Sequence, residues 1–358
     1  MTSPASDLTA RLTAADQLLN AMSLDEAIAA YQEILAIDPS LYAAQLGLAR
    51  ALTRQRRHEE ARAAIEQCIA LAPERPEGYA ALGVLFFLLD ETQAAREQLE
   101  KALSLSPNDP EATLTLAQVL ADAGEQEAAQ QHLAAARATI DALPEGVDRD
   151  AMSALAWHAQ TYLHLVSGDN VAAREAAQQV IALREANPYA ASLAYSNLGI
   201  LEAQAKNYDQ AIDYLEQAYA LNPRFYRATS ALGRILLLRH RYDRAAEVLA
   251  TLVEHPFADQ AMDRYLYAMA LAKSGQRQAA LEQYRAALAH GLKGVFRLQA
   301  RWQVIWLSQF GRYAVIGVGL AAVLAYVVIG KPDGSALSLL AIVVVILVLQ
   351  RMLGRTRR

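Results

Sequence analysis

The chain has 358 residues, with 33 Lys or Arg against 38 Asp or Glu and a formal net charge of −5. The charge is unevenly spread: 24 basic and 37 acidic side chains precede residue 293, and nine basic and one acidic lie from residue 293 onward. An acidic body repels nucleic-acid phosphates and argues against nucleic acid as a partner, whereas a basic tail suits an anionic lipid surface. Ala and Leu dominate, and β-branched residues concentrate after residue 312, so the body reads as helical with no sheet expected. A lone cysteine, Cys68, excludes an internal disulfide framework and reads as a small core residue.

In chain order, residues 1–7 are expected to be disordered, and Met1 to Leu12 has neither a basic nor an apolar leader region, so no secretory signal is expected. From residue 8 a small residue recurs at an unbroken interval of 34, at Ala27, Ala61, Ala95 and Ala129, and again at Ala211 and Ala245. Prolines keep step at Pro39, Pro73, Pro107 and Pro223, each closing a run with helical periodicity. Within the repeats a small residue follows a leucine at Leu48-Ala49, Leu82-Gly83, Leu116-Ala117, Leu198-Gly199 and Leu232-Gly233. Gly inside a helix costs about 1 kcal/mol relative to Ala. Its recurrence at one repeat position therefore implies close approach of two antiparallel helices.

This spacing resembles the tetratricopeptide-repeat family, whose pattern is carried best by Tyr79, Leu82, Gly83, Ala95, Leu99, Ala102 and Pro107. It is carried again by Tyr195, Leu198, Gly199, Ala211, Leu215, Ala218 and Pro223. The resemblance implies an all-α, right-handed superhelical solenoid of about eight helical hairpins. Units are expected over 8–142 and 149–291, around an irregular insert at 143–148, where the array either bends or divides into two halves. It also implies a concave wall supplied by first helices, near Arg50, Arg54, Val84, Phe87, Leu88, Gln118, Ile200, Gln204, Arg234, Leu237, Leu238, Met269 and Lys273. Family members that grip a chaperone's terminal carboxylate share a Lys and Asn clamp. Asp16, Leu46, Arg50 and Ala81 occupy those places here, so that clamp is not reproduced. The expected partner is an amphipathic helix or extended apolar segment of a protein, with Arg50 and Arg234 pairing with its acids.

After Gly291 the character changes. Residues 292–312 read as an amphipathic helix, either capping the last repeat or lying at a lipid interface. Residues 313–330 and 335–350 read as two transmembrane helices joined by a turn at 331–334 and followed by a basic tail at 351–358, the pair either spanning or re-entrant. Arg297, Arg301, Trp302, Trp306, Arg312 and Arg351 are the expected membrane-interface residues, and Gly317, Ala321 and Ala325 form a small-residue stripe for helix packing. The positive-inside bias puts the array and both termini in the cytoplasm, at a bacterial inner membrane.

No metal, nucleotide or acyl-transfer motif is present in the sequence, so neither a cofactor nor enzymatic activity is expected. The seven histidines are scattered, His158 and His164 among them, and read as surface or satisfied core residues. The leading reading is a membrane-anchored protein-interaction scaffold or adaptor. Alternatives are a self-assembling membrane coat, with self-association, and a holdase-like receptor for membrane or exported chains.

Overall fold

The computed structural model describes residues 4–253, 259–308 and residue 317, and among them are 17 α-helices and no strand. Residues Met1–Ala258 and Asp259–Arg358 form two compact units. The first holds seven hairpins: α1 (Pro4–Asn20) with α2 (Leu24–Ile37), α3 (Tyr42–Arg54) with α4 (His58–Leu71), and α5 (Pro76–Leu88) with α6 (Thr92–Leu105). Then follow α7 (Pro110–Asp122) with α8 (Gln126–Asp141), α9 (Val147–Ser167) with α10 (Asn170–Ala182), α11 (Pro188–Gln204) with α12 (Tyr208–Leu221), and α13 (Tyr226–Leu238) with α14 (Tyr242–Ala250). The second unit holds α15 (Gln260–Lys273), α16 (Arg277–Ala289) and α17 (Gly294–Leu307).

The hairpins follow from small side chains and punctual stops. The recurrent alanines Ala27, Ala61, Ala95, Ala129, Ala211 and Ala245 are all wholly buried. A Cβ added to Gly83 would lie 2.6 Å from Leu99 Cγ, and one on Gly199 would lie 2.5 Å from Leu215 Cγ, so nothing larger fits the seam at those places. Helices α2, α4, α6 and α12 each stop two residues before a proline, and the intervening residue is pushed out of the helical region; Asp38, for example, has φ −132° and ψ 93°. Between paired helices the chain turns through one left-handed residue at a fixed repeat position, as at Met22, Arg56, Asp90, Gly124, Lys206 and His240. The following N–H then reaches back to the helix, as Glu91 N does to Phe86 O at 2.9 Å, satisfying a carbonyl that the helix end leaves open.

Two expectations change, and one of two alternatives is decided. Helix α1 begins at Pro4, inside the stretch 1–7 expected to be disordered. The insert at 143–148 does not divide the array, because one hydrophobic core runs from Ala80 on α5 to Leu163 on α9 across it; the division between compact units falls after Ala258 instead. The membrane localisation is also corrected: among the described residues no helix is long and apolar enough to cross a membrane. Helix α17 has 14 residues, about 21 Å at 1.5 Å per residue against a hydrocarbon thickness of about 30 Å, and it carries Arg297 and Arg301. The two segments 313–330 and 335–350 lie outside the described residues apart from Gly317, as do Arg312, Ala321, Ala325 and Arg351. Within its own unit α17 packs on α16. It buries Ala300 and accepts a 2.6 Å hydrogen bond at Gln299 Oε1 from the Tyr265 hydroxyl.

Candidate functional site

In the first unit each first helix meets the next, from α3 through α5, α7, α9 and α11 to α13, so their side chains form one continuous wall. The wall closes on itself. The turn between α3 and α4 meets the start of α11 and the turn between α12 and α13 through three contacts. The Arg54 guanidinium lies 4.9 Å from the Tyr189 ring centroid, and that of Arg56 lies 5.0 Å from the Phe225 centroid. Asn222 Nδ2 donates to the Arg54 carbonyl at 3.1 Å. These contacts bound a cavity of about 480 Å³.

Its walls are mainly apolar and aromatic. Helix α5 supplies Val84, Phe87 and Leu88; α9 supplies Leu155 and Tyr162; α11 supplies Tyr189 and Leu193; Phe225 and Tyr226 complete the side closed by the turn. Phe87 and Tyr162 meet edge to face at 5.5 Å between centroids, an arrangement that favours fixed ring positions. The Tyr162 hydroxyl donates to both carboxylate oxygens of Asp122, at 2.7 and 2.8 Å; burial and then this carboxylate push the phenol far above its ordinary value. The polar lining includes Gln118 on α7, His158 on α9 and Asn197 on α11. Burial alone lowers His158 from 6.5 to about 4, so its imidazole is neutral at pH 7.

Of the residues expected on the concave wall, Val84, Phe87, Leu88 and Gln118 line this cavity. Arg50 Nη2 pairs with Glu111 Oε2 at 2.9 Å, and Glu111 holds the guanidinium above its ordinary value, so Arg50 already has an acid of its own. Arg54 is spent on the closure and donates to Leu19 O at 3.1 Å. Ile200 is half-buried and Leu237 buried, while Gln204, Arg234 and Leu238 are exposed. Met269 and Lys273 belong to the second unit, as do Arg297, Arg301, Trp302 and Trp306, all exposed on α17.

Leu155, His158, Tyr162, Tyr189, Asn197 and Phe225 line the cavity without having been expected there. The signal for the α9 residues was present. Counting twelve residues back from the wholly buried Ala173, as from Ala95 to Gly83, sets Thr161 at the glycine position and His158 and Tyr162 on the wall side. Among the described residues no group of three or more His, Cys, Asp or Glu is placed to hold a metal ion.

Stacked antiparallel helix pairs with a wall of first helices define a helical-repeat solenoid. The chain belongs to the tetratricopeptide-repeat family: three tetratricopeptide-repeat models match, one over residues 87–157 and 202–264, one over 48–120 and one over 12–76 and 158–223. Among solved structures, the chain is similar to the APC/C hetero-tetramer Cut9-Hcn1, with a TM-score of 0.54 and 18% identity over 84% of this chain and 55% of that one. It thus spans about half the length of that protein. It is also similar to the human IFIT1 dimer with PPP-AAAA (TM-score 0.49, 16% identity, 90% of this chain and 79% of that one). For the same human dimer with m7Gppp-AAAA the values are 0.49, 17%, 88% and 76%. At 18% identity the likeness to Cut9-Hcn1 is one of fold alone. No curated protein matches the chain.

Proposed function

We propose that the chain is a protein-interaction scaffold and that the unit Met1–Ala258 receives a segment of a partner protein in the cavity of its first-helix wall, called the channel below. Tetratricopeptide repeats are protein-binding modules, and the observation that carries the finer reading is the channel itself. It offers about 480 Å³, inside the range of roughly 300–1,000 Å³ at which pockets bury a ligand, along a mainly apolar and aromatic wall that the protein's own contacts bound on one side. An extended segment suits that room better than a helix, whose diameter with side chains is about 10–12 Å. Outside the channel, Arg234 and Leu238 remain exposed on α13, so Arg234 and not Arg50 is the arginine open to a partner's acid.

The test is selection of displayed random peptides on the full chain, followed by titration of the enriched peptides against wild type and Leu193→Trp, which fills the channel. The scaffold reading expects enrichment and at least a tenfold loss of affinity in the tryptophan variant. Peptides that bind the filled variant as tightly as wild type would place the binding surface elsewhere and sink the channel assignment. A smaller loss is expected for Arg234→Glu against peptides carrying an acidic residue.

A further inference from the structure

The closure gathers positive charge at one edge of the channel without an acid to match it. The turn between α3 and α4 brings Arg54 and Arg56 to the turn before α13, where Arg227 is the second helical residue. Arg56 and Arg227 both line the channel, and among the described residues neither forms an ion pair. Burial holds the Arg54 guanidinium below its ordinary value. Of the acids in the lining, Glu111 is held by Arg50 and Asp90 is exposed on the turn after α5. The start of α13 adds to the imbalance. The first amide bonded within that helix is Thr229 N, to Phe225 O at 3.0 Å, and the N-cap residue Phe225 offers no side-chain acceptor. The positive end of the helix dipole thus stands uncapped beside both arginines. Helices α7 and α11 of the same wall are instead capped, by Asp109 and Asn187.

A second observation is independent of charge. In the wall of the same channel His158 Nδ1 is buried without a partner. Buried polar atoms are paired in the great majority of cases, so this nitrogen calls for a hydrogen-bonding atom from outside. The Tyr162 phenol, raised chiefly by burial, also feels Arg227 as an opposing charge, so the cationic edge adjoins the aromatic wall. A carboxylate brings one charge and two oxygens to that edge. A phosphate monoester brings a charge of about −1.5 to −2 at pH 7 and three strong acceptors, which suits two guanidinium groups and an open helix start. A long polyanion is disfavoured by the acidic body of the chain.

We propose that this edge of the channel is a binding site for a small phosphate monoester. Arg56, Arg227 and the opening amides of α13 hold its phosphate, and its organic body lies on Phe87 and Tyr162 toward His158 Nδ1. Bound there, it offsets the repulsion between the two turns and strengthens the closure. The site needs no partner chain, so it stands or falls apart from the scaffold reading. The full chain is to be titrated at constant ionic strength and near neutral pH with phenyl phosphate, inorganic phosphate, benzoate and a capped alanine octapeptide carrying one phosphotyrosine. Calorimetry gives the affinities for wild type and Arg56→Gln/Arg227→Gln. In the wild-type protein, NMR follows the His158 ring and amide exchange at residues 54–58 and 222–226.

Phenyl phosphate is expected to bind at least tenfold more tightly than benzoate, to lose at least tenfold with the glutamine pair, to shift the His158 ring and to slow exchange at both turns. Benzoate binding as tightly as phenyl phosphate overturns the phosphate class, and inorganic phosphate doing so overturns the organic body. Tighter binding of the phosphopeptide makes the phosphate part of a partner chain and overturns the small-molecule assignment. Phenyl phosphate that binds without moving the His158 ring or either turn sits elsewhere and overturns the site, as does no binding at all. Each of these outcomes leaves the peptide-display test of the scaffold untouched.

Discussion

Hairpins α5–α6 and α9–α10 solve one packing problem with opposite residues. In the first, Gly83 on one helix leaves room for Leu99 on the other, whose Cγ would meet an added Cβ at 2.6 Å. Counted from the buried alanines Ala95 and Ala173, the same two places in α9–α10 are taken by Thr161 and Ala177, both wholly buried. The large and small partners have changed sides. Thr161 fits as a buried polar residue because its hydroxyl donates to Trp157 O at 2.8 Å within its own helix. Elsewhere the small residue stays on the first helix, as in Ala49 with Ile65, Gly199 with Leu215 and Gly233 with Leu249, all buried. The seam thus demands a combined volume and not a particular leucine-glycine pair, as close packing requires. The hairpin that departs from the pattern is also the one whose first helix brings Leu155, His158 and Tyr162 to the channel.

Moving residues between equivalent places tests this. The largest effect is expected for Ala177→Leu alone, which puts the regular hairpin's leucine opposite a threonine and should cost about 3 kcal/mol by overpacking. Thr161→Gly alone should cost roughly 2 kcal/mol through a cavity and a glycine inside a helix. The double variant recreates the Gly83–Leu99 arrangement, so its loss should fall at least 1 kcal/mol short of the sum, read as a coupling in urea unfolding. Strict additivity would show that the two positions do not share one space.

Next is His158, where α7 carries Leu114 at the equivalent place. Its native value of about 4 lies below the ordinary 6.5, so between those limits the unfolded chain binds the extra proton and stability falls as the pH falls. By pH 5 this should remove about 2 kcal/mol relative to pH 7.5. His158→Leu should flatten that part of the stability profile, and an unchanged profile would assign the acid sensitivity to other groups.

What was legible in the sequence is what repeats. A buried seam position that admits only a methyl group leaves an alanine every 34 residues, and a helix that must stop leaves a proline, so hairpins and their ends can be read along the chain. The channel cannot be read that way. Its closure joins Asn222 to Arg54 and Phe225 to Arg56, contacts that occur once and carry no period. Arg50 looked free for a partner because its acid, Glu111, stands two hairpins along. His158 reads as one of several scattered histidines, because the insert at 143–148 shifts the register that places it on the wall. The same insert leaves both a bend and a division open in the sequence, since local irregularity marks a long turn, whereas division depends on packing across it, and α9 still packs on α7 and α8.

The closure offers a smaller test. Asn222 stands just before its hairpin's closing proline, where Ala72 stands in α3–α4, and it is 4% exposed. Asn222→Ala removes its bond to Arg54 O and the one it accepts from Arg224 N at 3.2 Å, at an expected cost of about 1–1.5 kcal/mol. Amide exchange should quicken at residues 54–58 and 222–226 and stay unchanged in α5 to α8. Uniform acceleration would mean that the contact supports the whole stack and not the closure.

The smallest effect, and the only gain, belongs to the turns. Lys206 sits at φ 65° where Gly124 sits at φ 82°, and a side chain in that left-handed region costs about 1–2 kcal/mol that glycine avoids. Lys206→Gly returns part of this because glycine also frees the unfolded chain, so a net gain of about 0.5 kcal/mol is expected. Lys206→Val should lose about 1 kcal/mol, since β-branching fits that region worst. His240→Gly, at φ 59°, should gain less than Lys206→Gly, because the His240 ring contacts Tyr242 at 5.6 Å between centroids and glycine gives that up. Equal gains at the two turns would mean that this ring pair adds nothing and that backbone strain alone separates these turns from the one at Gly124.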